Sequence, residues 1–248
     1  MIDNTKRFSD RVDDYIQYRP HHPYEVIEVL ETAFGLNSSF TIADIGSGTG
    51  ISSELFLKNN NVVFVVEPNK ELRAAAEKIN AACKTFVSID GTAESTGLDE
   101  HSIDMIFCGQ SFHWFDTTTC KKEFGRILKD DGHIVLAWNV RREADDFQKG
   151  YEKTLLENID EYKNVTHRNI TVKEIEPFFN PKKLYIKTVS NFQDFNLDGL
   201  IGRLQSSSYC PKEDVPYQRL MSAIEKLFDQ YNINGKIKFE YDTLIYWC

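Results

Sequence analysis

An apolar strand-like run that ends in a glycine-rich turn is the feature that most constrains the fold of this chain. Residues 40–45 are apolar or β-branched except for Asp44, and they lead directly into Gly46-Ser47-Gly48-Thr49-Gly50. Glycines at this spacing allow a tight turn and a close approach of the backbone to a ligand. A helix is predicted from Ile51 onward, so its free N–H groups would face the same turn.

The same strand–helix rhythm continues over the first 138 residues. Residues 62–66 form a continuous β-branched and aromatic run, which is typical of a parallel strand covered on both faces. Further strands are predicted at residues 85–89, 103–108 and 133–138, with helices between them. The alternation predicts an α/β fold with a Rossmann-like doubly wound sheet, in which the carboxyl ends of the strands share one edge.

The regular alternation of strands and helices ends after Trp138. Residues 144–178 and 195–232 have mostly helical patterns, whereas residues 184–189 and 236–247 resemble strands, the latter being one long strand or a pair. We predict a single domain over residues 1–248. Within it, we expect residues 1–38 to form N-terminal cover helices and residues 195–232 to form a helical insertion near the substrate side.

Composition narrows the classes of partner. The formal net charge is −9, which opposes binding to phosphate backbones, so we expect no nucleic-acid partner. Five cysteines without a CxxC pair predict neither a disulfide framework nor a zinc site. His21 and His22 are adjacent rather than spaced as ligands, so we expect no metal. The sequence shows no apolar leader or span, which predicts a cytoplasmic protein without a membrane partner. We also expect a monomer or a homodimer.

Asp44 and Ile51 distinguish between nucleotide-like cofactors. A dinucleotide-binding turn needs a small residue three positions after the second glycine of its G-x-G pair, and Ile51 stands there. Asp44 is a poor neighbour for a phosphate, but it suits a cofactor amino group. The two residues therefore favour S-adenosylmethionine over a nicotinamide cofactor.

Two more polar sites follow the second and third strands. Glu67, followed by Pro68, ends the second strand, where a carboxylate can accept both ribose hydroxyls. Thr92, Ala93 and Glu94 follow the third strand, where backbone N–H groups and a polar side chain can bind adenine. An ordinary capped loop fits the latter residues nearly as well. Because these strands end at one edge, a single adenosyl ligand would meet all of them.

The fourth strand ends in Gln110-Ser111-Phe112-His113-Trp114-Phe115. Its aromatic residues predict a wall for a sulfonium and an apolar substrate, because aromatic faces attract cations. Histidine titrates near neutrality, so His113 is a candidate to remove a proton from a nucleophile, although packing beside Trp114 explains it equally well.

The fifth strand contributes candidates for the acceptor side. Trp138 ends that strand, and Arg141 and Arg142 follow shortly after it. Either arginine could bind an acid group of a substrate, because guanidinium matches carboxylate geometry. A solvated basic turn is the alternative for both.

These motifs together resemble the class I S-adenosylmethionine-dependent methyltransferases, in particular the type 11, trans-aconitate-methyltransferase-like group. The resemblance rests on residues 44–50, Glu67, residues 91–94 and residues 110–115. A lead-in of Tyr18-Arg19-Pro20-x-x-Pro23 is also similar to that of the group. A Ser-x-Ser-Tyr-like element at residues 206–209 and the terminal strand extend the resemblance over most of the chain. One departure is Thr92, which stands where many members carry an aspartate for the adenine amino group.

The resemblance implies a seven-stranded sheet of order 3-2-1-4-5-7-6 with the last strand antiparallel. It also implies methyl transfer to a small-molecule acceptor, with Tyr18 and Arg19 near the methionine moiety. The alternatives are a non-catalytic S-adenosylmethionine-binding regulatory module and a nicotinamide-dependent oxidoreductase. The predicted cofactor residues are Tyr18, Arg19, Asp44, Gly46, Ser47, Gly48, Gly50, Glu67, Pro68, Thr92, Ala93, Glu94 and Gln110. The predicted substrate residues are Phe112, His113, Trp114, Trp138 and Arg141, with His113 as the catalytic candidate.

Overall fold

The structure is a computed structural model that describes residues 12–143, 145–160, 162, 171–212 and 214–248. Its strands are β1 (Thr41–Ile45), β2 (Val62–Val66), β3 (Phe86–Ile89), β4 (Ile103–Gly109), β5 (Leu128–Arg141), β6 (Tyr185–Phe195) and β7 (Ile237–Trp247). Its helices are α1 (Val12–Tyr18), α2 (Glu25–Phe34), α3 (Ser53–Lys58), α4 (Lys70–Ile79), α5 (Thr117–Ile127), α6 (Asp146–Asn158), α7 (Val172–Phe179), α8 (Leu197–Gln205) and α9 (Asp214–Tyr231).

All seven strands form one sheet of order β3-β2-β1-β4-β5-β7-β6. The strands β1 to β5 pair in parallel, whereas β7 runs antiparallel to both β5 and β6. The apolar run of β2 explains its place inside the sheet, because Val63, Val65 and Val66 are fully buried. The predicted fold class, strand order and antiparallel strand are confirmed.

The structure specifies three elements more closely than the sequence did. The last segment is a single strand, β7, which is one of the two alternatives left open. The strand β5 runs from Leu128 to Arg141 and so extends beyond the predicted residues 133–138 at both ends. Ile79, which ends α4, is 54% exposed although its spacing matches the buried Leu72 and Ala76. The reason is position, since β3 at the edge of the sheet is only half-buried and offers the last turn of α4 little to pack against.

Helices cover both faces of the sheet. On one face, α2 and α3 pack Val26, Ile27 and Phe56 against strand residues. On the other face, α5 and α7 contribute Phe124 and Phe178. These two apolar layers hold the parallel strands in place, so the loops at their carboxyl ends have a rigid base.

A third apolar cluster lies outside those two layers. It joins α6, α8 and α9 to the first part of β7, and its fully buried members include Leu155, Leu200, Ile224 and Tyr241. The helices α8 and α9 fall within residues 195–232, which were predicted to be helical. The predicted N-terminal helices appear as α1 and α2, while residues 1–11 of that prediction lie outside the described residues.

Helix α1 packs on α8 through Tyr18 and Gly202. A Cβ atom added at Gly202 would collide with the Tyr18 ring.

Within the described part of the chain, no helix combines the length and the apolar character that a bilayer crossing needs.

We expect Gly202→Ala to lower the free energy of unfolding by about 1–3 kcal/mol, because the added methyl group overpacks the contact with Tyr18. The matched control is Gly125→Ala in α5, where no heavy atom lies within 4 Å of the new Cβ. That control should gain up to ~1 kcal/mol from helix propensity. Urea unfolding followed by circular dichroism measures both, and equal shifts in the two variants would refute the packing argument.

Candidate active site

A cavity of about 770 Å³ lies at the carboxyl ends of the parallel strands, bounded on its other side by residues of α8 and the segment that follows α1. Ligand pockets in proteins usually measure roughly 300–1,000 Å³, so this one has room for a nucleoside-sized ligand and a small second molecule. Its wall contains these predicted site residues: Arg19, Gly46, Ser47, Gly48, Glu67, Pro68, Thr92, Ala93, Glu94, Gln110, His113, Trp114, Trp138 and Arg141.

Four predicted contact residues lie behind this wall instead of in it. The Tyr18 ring packs on Gly202, and Gly50 packs against Ala76. Phe112 is buried against Phe178 with ring centroids 4.8 Å apart. Asp44 is fully buried under the glycine turn. These residues therefore support the wall, because each is covered by other protein groups.

The glycine turn is anchored to β2 at its start. The N–H groups of Gly46 and Ser47 donate to the carbonyl oxygen of Val66 at 2.9 and 3.3 Å. Gly46 also lies so close to Ser111 that a Cβ atom there would stand 2.8 Å from the Ser111 Cβ. This packing joins the loop after β1 to the loop after β4 and leaves the rest of the turn facing the cavity.

Gly48 is the point of the turn that is open to a ligand. Its φ of +59° is a left-handed conformation that favours glycine, and no heavy atom lies within 4 Å of the position a Cβ would take. Its N–H donates to Oε2 of Glu67 at 2.8 Å. A small ligand can therefore approach the backbone here without displacing a side chain.

Glu67 is held in one orientation at the cavity wall. Its Oε1 accepts from the N–H of Asn69 and its Oε2 from that of Gly48, both at 2.8 Å. Burial raises the pKa of the Glu67 carboxyl, although these two N–H groups partly offset the rise. A fixed, nearly buried carboxylate of this kind is suited to accept hydrogen bonds from a pair of ligand hydroxyls.

Asp44 has a different environment from the one that the sequence predicted. Its Oδ2 accepts from the Ser53 hydroxyl at 2.5 Å, and its buried Oδ1 has no hydrogen-bond partner. Burial raises the pKa of Asp44 to about 7, and the neighbouring Glu67 adds to the rise while Ser53 opposes it. Asp44 does not line the cavity, and the predicted interaction with a cofactor amino group, directly or through water, stays a prediction.

The loops after β3 and β4 form the next part of the wall. Glu94 accepts from the N–H of Asp116 at 2.8 Å, which ties the first loop to the start of α5. Gln110 has a φ of +59°, an uncommon conformation for a non-glycine residue that is often found at functional sites. His113 and Trp114 lie together on the wall, with ring centroids 4.5 Å apart.

Arg141 is not on a solvated turn. It is buried in the cavity wall, where its Nη2 donates to Oε2 of Glu152 at 2.7 Å and to the hydroxyl of Tyr162. Arg142 instead pairs with Asp242 on the sheet at 2.6 Å and does not line the cavity. Of the two arginines proposed for the acceptor side, only Arg141 is placed for that role.

The sequence analysis missed several wall residues, notably His22, Arg203 and Tyr209. His22 is buried with its ring edge against Phe107, and burial lowers its pKa to about 4, with a further contribution from His21, so the imidazole is neutral. The flanking prolines were a local signal for His22. Tyr209 belongs to the element at residues 206–209 that extends the family resemblance, but it was given no role. Arg203 carried no local signal, because an arginine on a helix usually indicates a solvated face.

Comparison with known proteins agrees with this geometry. A family model described as a methyltransferase domain matches residues 43–136, which span β1 to most of β5. An uncharacterized methyltransferase of Schizosaccharomyces pombe is 31% identical over 145 residues, covering 57% of this chain and 55% of the relative. An uncharacterized methyltransferase of Mycobacterium tuberculosis is 28% identical over 208 residues, covering 84% and 79%.

The fold also matches a candidate type II methyltransferase from Anaeromyxobacter dehalogenans, with a TM-score of 0.68 at 16% identity over 93% of this chain and 97% of that one. The matched domain and these relatives support a class I S-adenosylmethionine-dependent methyltransferase. The matched residues 43–136 contain the glycine turn, Glu67 and His113, whereas Arg203 and Tyr209 lie outside them. The trans-aconitate-methyltransferase-like subgroup stays a prediction. Among the described residues, no cluster of three or more His, Cys, Asp or Glu side chains is arranged to hold a metal.

We expect Asp44→Asn to change how stability depends on pH. A carboxyl with a raised folded-state pKa stays protonated in the native state while the unfolded chain ionises, so Asp44 lowers stability as pH rises from about 4 to about 7. The neutral amide removes that loss. Urea unfolding of both proteins from pH 4.5 to 8 should therefore show the variant gaining stability relative to the wild type as pH rises. A constant difference across this range would mean that Asp44 ionises normally.

Proposed function

We propose that this methyltransferase transfers a methyl group from S-adenosylmethionine to a small-molecule acceptor. The observation that carries the proposal is the fixed carboxylate of Glu67 beside the open turn at Gly48, both on the wall of one cavity. S-adenosylmethionine supplies an electrophilic methyl group on a positively charged sulfur.

The wall residues fit the parts of that cofactor in order along the sheet edge. Glu67 would accept hydrogen bonds from the ribose hydroxyls, and the loop of Thr92 and Ala93, which lines the cavity, would contact the adenine. Arg19 would bind the methionine carboxylate. Its Nη2 donates to the Ser206 carbonyl at 2.7 Å, while its buried Nε has no partner among the described residues, which leaves a donor for an anionic ligand.

The residues after β4 surround the reacting atoms. Trp114 offers an aromatic face that attracts a cation, and Gln110 fixes the loop by donating to the Asn139 carbonyl at 3.2 Å. His113 accepts the proton that a hydroxyl or amine acceptor loses. Methyl transfer is an in-line displacement, so much of its rate comes from aligning the acceptor with the methyl group in a rigid site.

The size of the cavity supports a small acceptor. At about 770 Å³ it leaves limited space beside a bound cofactor, and α8 contributes Arg203 to its wall opposite the strands. The net charge of −9 also argues against a nucleic-acid acceptor.

Incubation with S-adenosylmethionine carrying a labelled methyl group, followed by separation of a metabolite extract, tests the proposal. Cofactor binding without any labelled small molecule would favour a regulatory module, and binding of NAD alone would favour an oxidoreductase.

We expect Glu67→Gln to weaken binding of S-adenosylhomocysteine by about 10- to 100-fold, because hydrogen bonds to a charged group contribute roughly 1.5–3 kcal/mol. The control is Glu31→Gln, an exposed position on α2 far from the cavity lining, which should leave the affinity unchanged. Isothermal titration calorimetry measures the affinities. Equal affinities for all three proteins would remove Glu67 from the cofactor site.

We expect His113→Gln to lower kcat for the labelled acceptor by about 10²-fold or more, because proton removal typically contributes 10²–10⁴-fold. The control, His101→Gln, changes an exposed histidine outside the cavity and should keep the wild-type kcat. A His113→Gln variant that raises only KM and keeps kcat would show that His113 is a wall residue.

A further inference from the structure

The two ends of the cavity differ in charge. Glu67 and Glu94 lie on the wall formed by the loops after β2 and β3. The opposite wall contains three arginines, Arg19, Arg141 and Arg203, and one carboxylate, Glu143, which follows β5. The protein as a whole is acidic, with a net charge of −9, so a group of arginines in one cavity wall departs from the average surface. Such a group of positive charges indicates that the second ligand carries a negative charge.

Arg203 is buried without a carboxylate partner among the described residues. It is only 7% exposed, and its hydrogen bonds go to neutral hydroxyls, from Nε to Tyr241 at 3.3 Å and from Nη1 to Ser207 at 3.2 Å. No carboxylate of the described residues lies within ion-pair distance of it. A desolvated cation in contact with hydroxyls alone is costly, so the native state gains when an anion binds beside it.

The neighbouring arginines do not relieve this charge. Arg141 is already paired with Glu152 at 2.7 Å. Burial lowers the pKa of Arg19, and the positive charge of Arg203 lowers it further, because the two cations repel each other. The cofactor carboxylate neutralises one of them, Arg19, in the function proposed above. One positive charge, that of Arg203, then remains in the cavity.

Tyr209 belongs to the same part of the wall. Its ring packs on that of Tyr162 with centroids 4.8 Å apart, and Tyr162 donates to Glu152 at 2.8 Å beside Arg141. Burial opposes ionisation of the Tyr209 phenol, but the positive charges of Arg141 and Arg203 outweigh it and lower its pKa. The positive field therefore extends to the cavity surface at Tyr209.

We propose that Arg203, together with Arg141 and Tyr209, forms a subsite that binds a carboxylate of the methyl acceptor. The inference rests on the proposed function, because it concerns the space left beside the cofactor. A carboxylate matches the single uncompensated charge, and guanidinium binds it through parallel N–H groups. A phosphate would bring a second negative charge that no described group at this end balances.

The test uses the full chain saturated with S-adenosylhomocysteine and three pairs of probes: acetate and acetamide, succinate and succinamide, benzoate and benzamide. Calorimetry measures their affinities for the wild type, Arg203→Met, Arg203→Lys and Arg142→Met. We expect at least one acid to bind ~10-fold more tightly than its amide, since bonds to a charged group differ by this amount from neutral ones. Arg203→Met should abolish that preference, Arg203→Lys should keep part of it, and Arg142→Met should keep all of it.

The outcomes separate this inference from the proposed function. Methionine fills a similar volume without charge, so an unchanged affinity of Arg203→Met for S-adenosylhomocysteine shows that the fold and the cofactor site persist. If the wild type binds S-adenosylhomocysteine but prefers no acid to its amide, or if Arg203→Met retains the preference, the subsite is refuted and the function stands. If S-adenosylhomocysteine does not bind at all, the proposed function fails first.

Discussion

The bond between the Gly48 N–H and the Glu67 carboxylate, at 2.8 Å, couples the turn after β1 to the end of β2. The Val66 carbonyl accepts from the start of the same turn, so the backbone of the turn and the orientation of Glu67 are set together. Because both strands are buried inside a parallel sheet, the cavity floor inherits their rigidity. The positions of Ser111 and His113, which follow the next strand in the sheet, depend on this floor in turn.

The site combines two kinds of protein environment. Loops at the strand ends present carboxylates and backbone N–H groups, whereas the helical cover presents arginines whose stems lie among tyrosine rings. The first environment suits a nucleoside with a cationic sulfur, and the second suits an anion. Electrostatic complementarity along one cavity orients two ligands relative to each other, which an in-line reaction requires.

Much of the strand-end half follows from local sequence. The β-branched run of β2 and the glycines after β1 are short signals, and the strand order then brings Glu67 and His113 to one edge. The wall at α8 was less predictable. The element at residues 206–209 gave no role to Tyr209, and Arg203 and Tyr209 meet Arg141 only through tertiary packing. Burial also sets two partners that the sequence did not predict: Asp44 accepts from Ser53 beneath the glycine turn, and Arg141 donates to Glu152 inside the wall. Residue type predicts chemistry, while long-range contacts decide which groups face the cavity.

The helices α6, α8 and α9 share their apolar cluster with β7 but not with the two layers that flank the parallel strands. Changes on α8 or α9 therefore leave the packing under the glycine turn intact, and changes near Glu67 leave the cover intact. This separation lets mutation alter the acceptor half in steps while the donor half keeps its geometry. A lineage built on this plan can acquire new acceptors without first losing its cofactor.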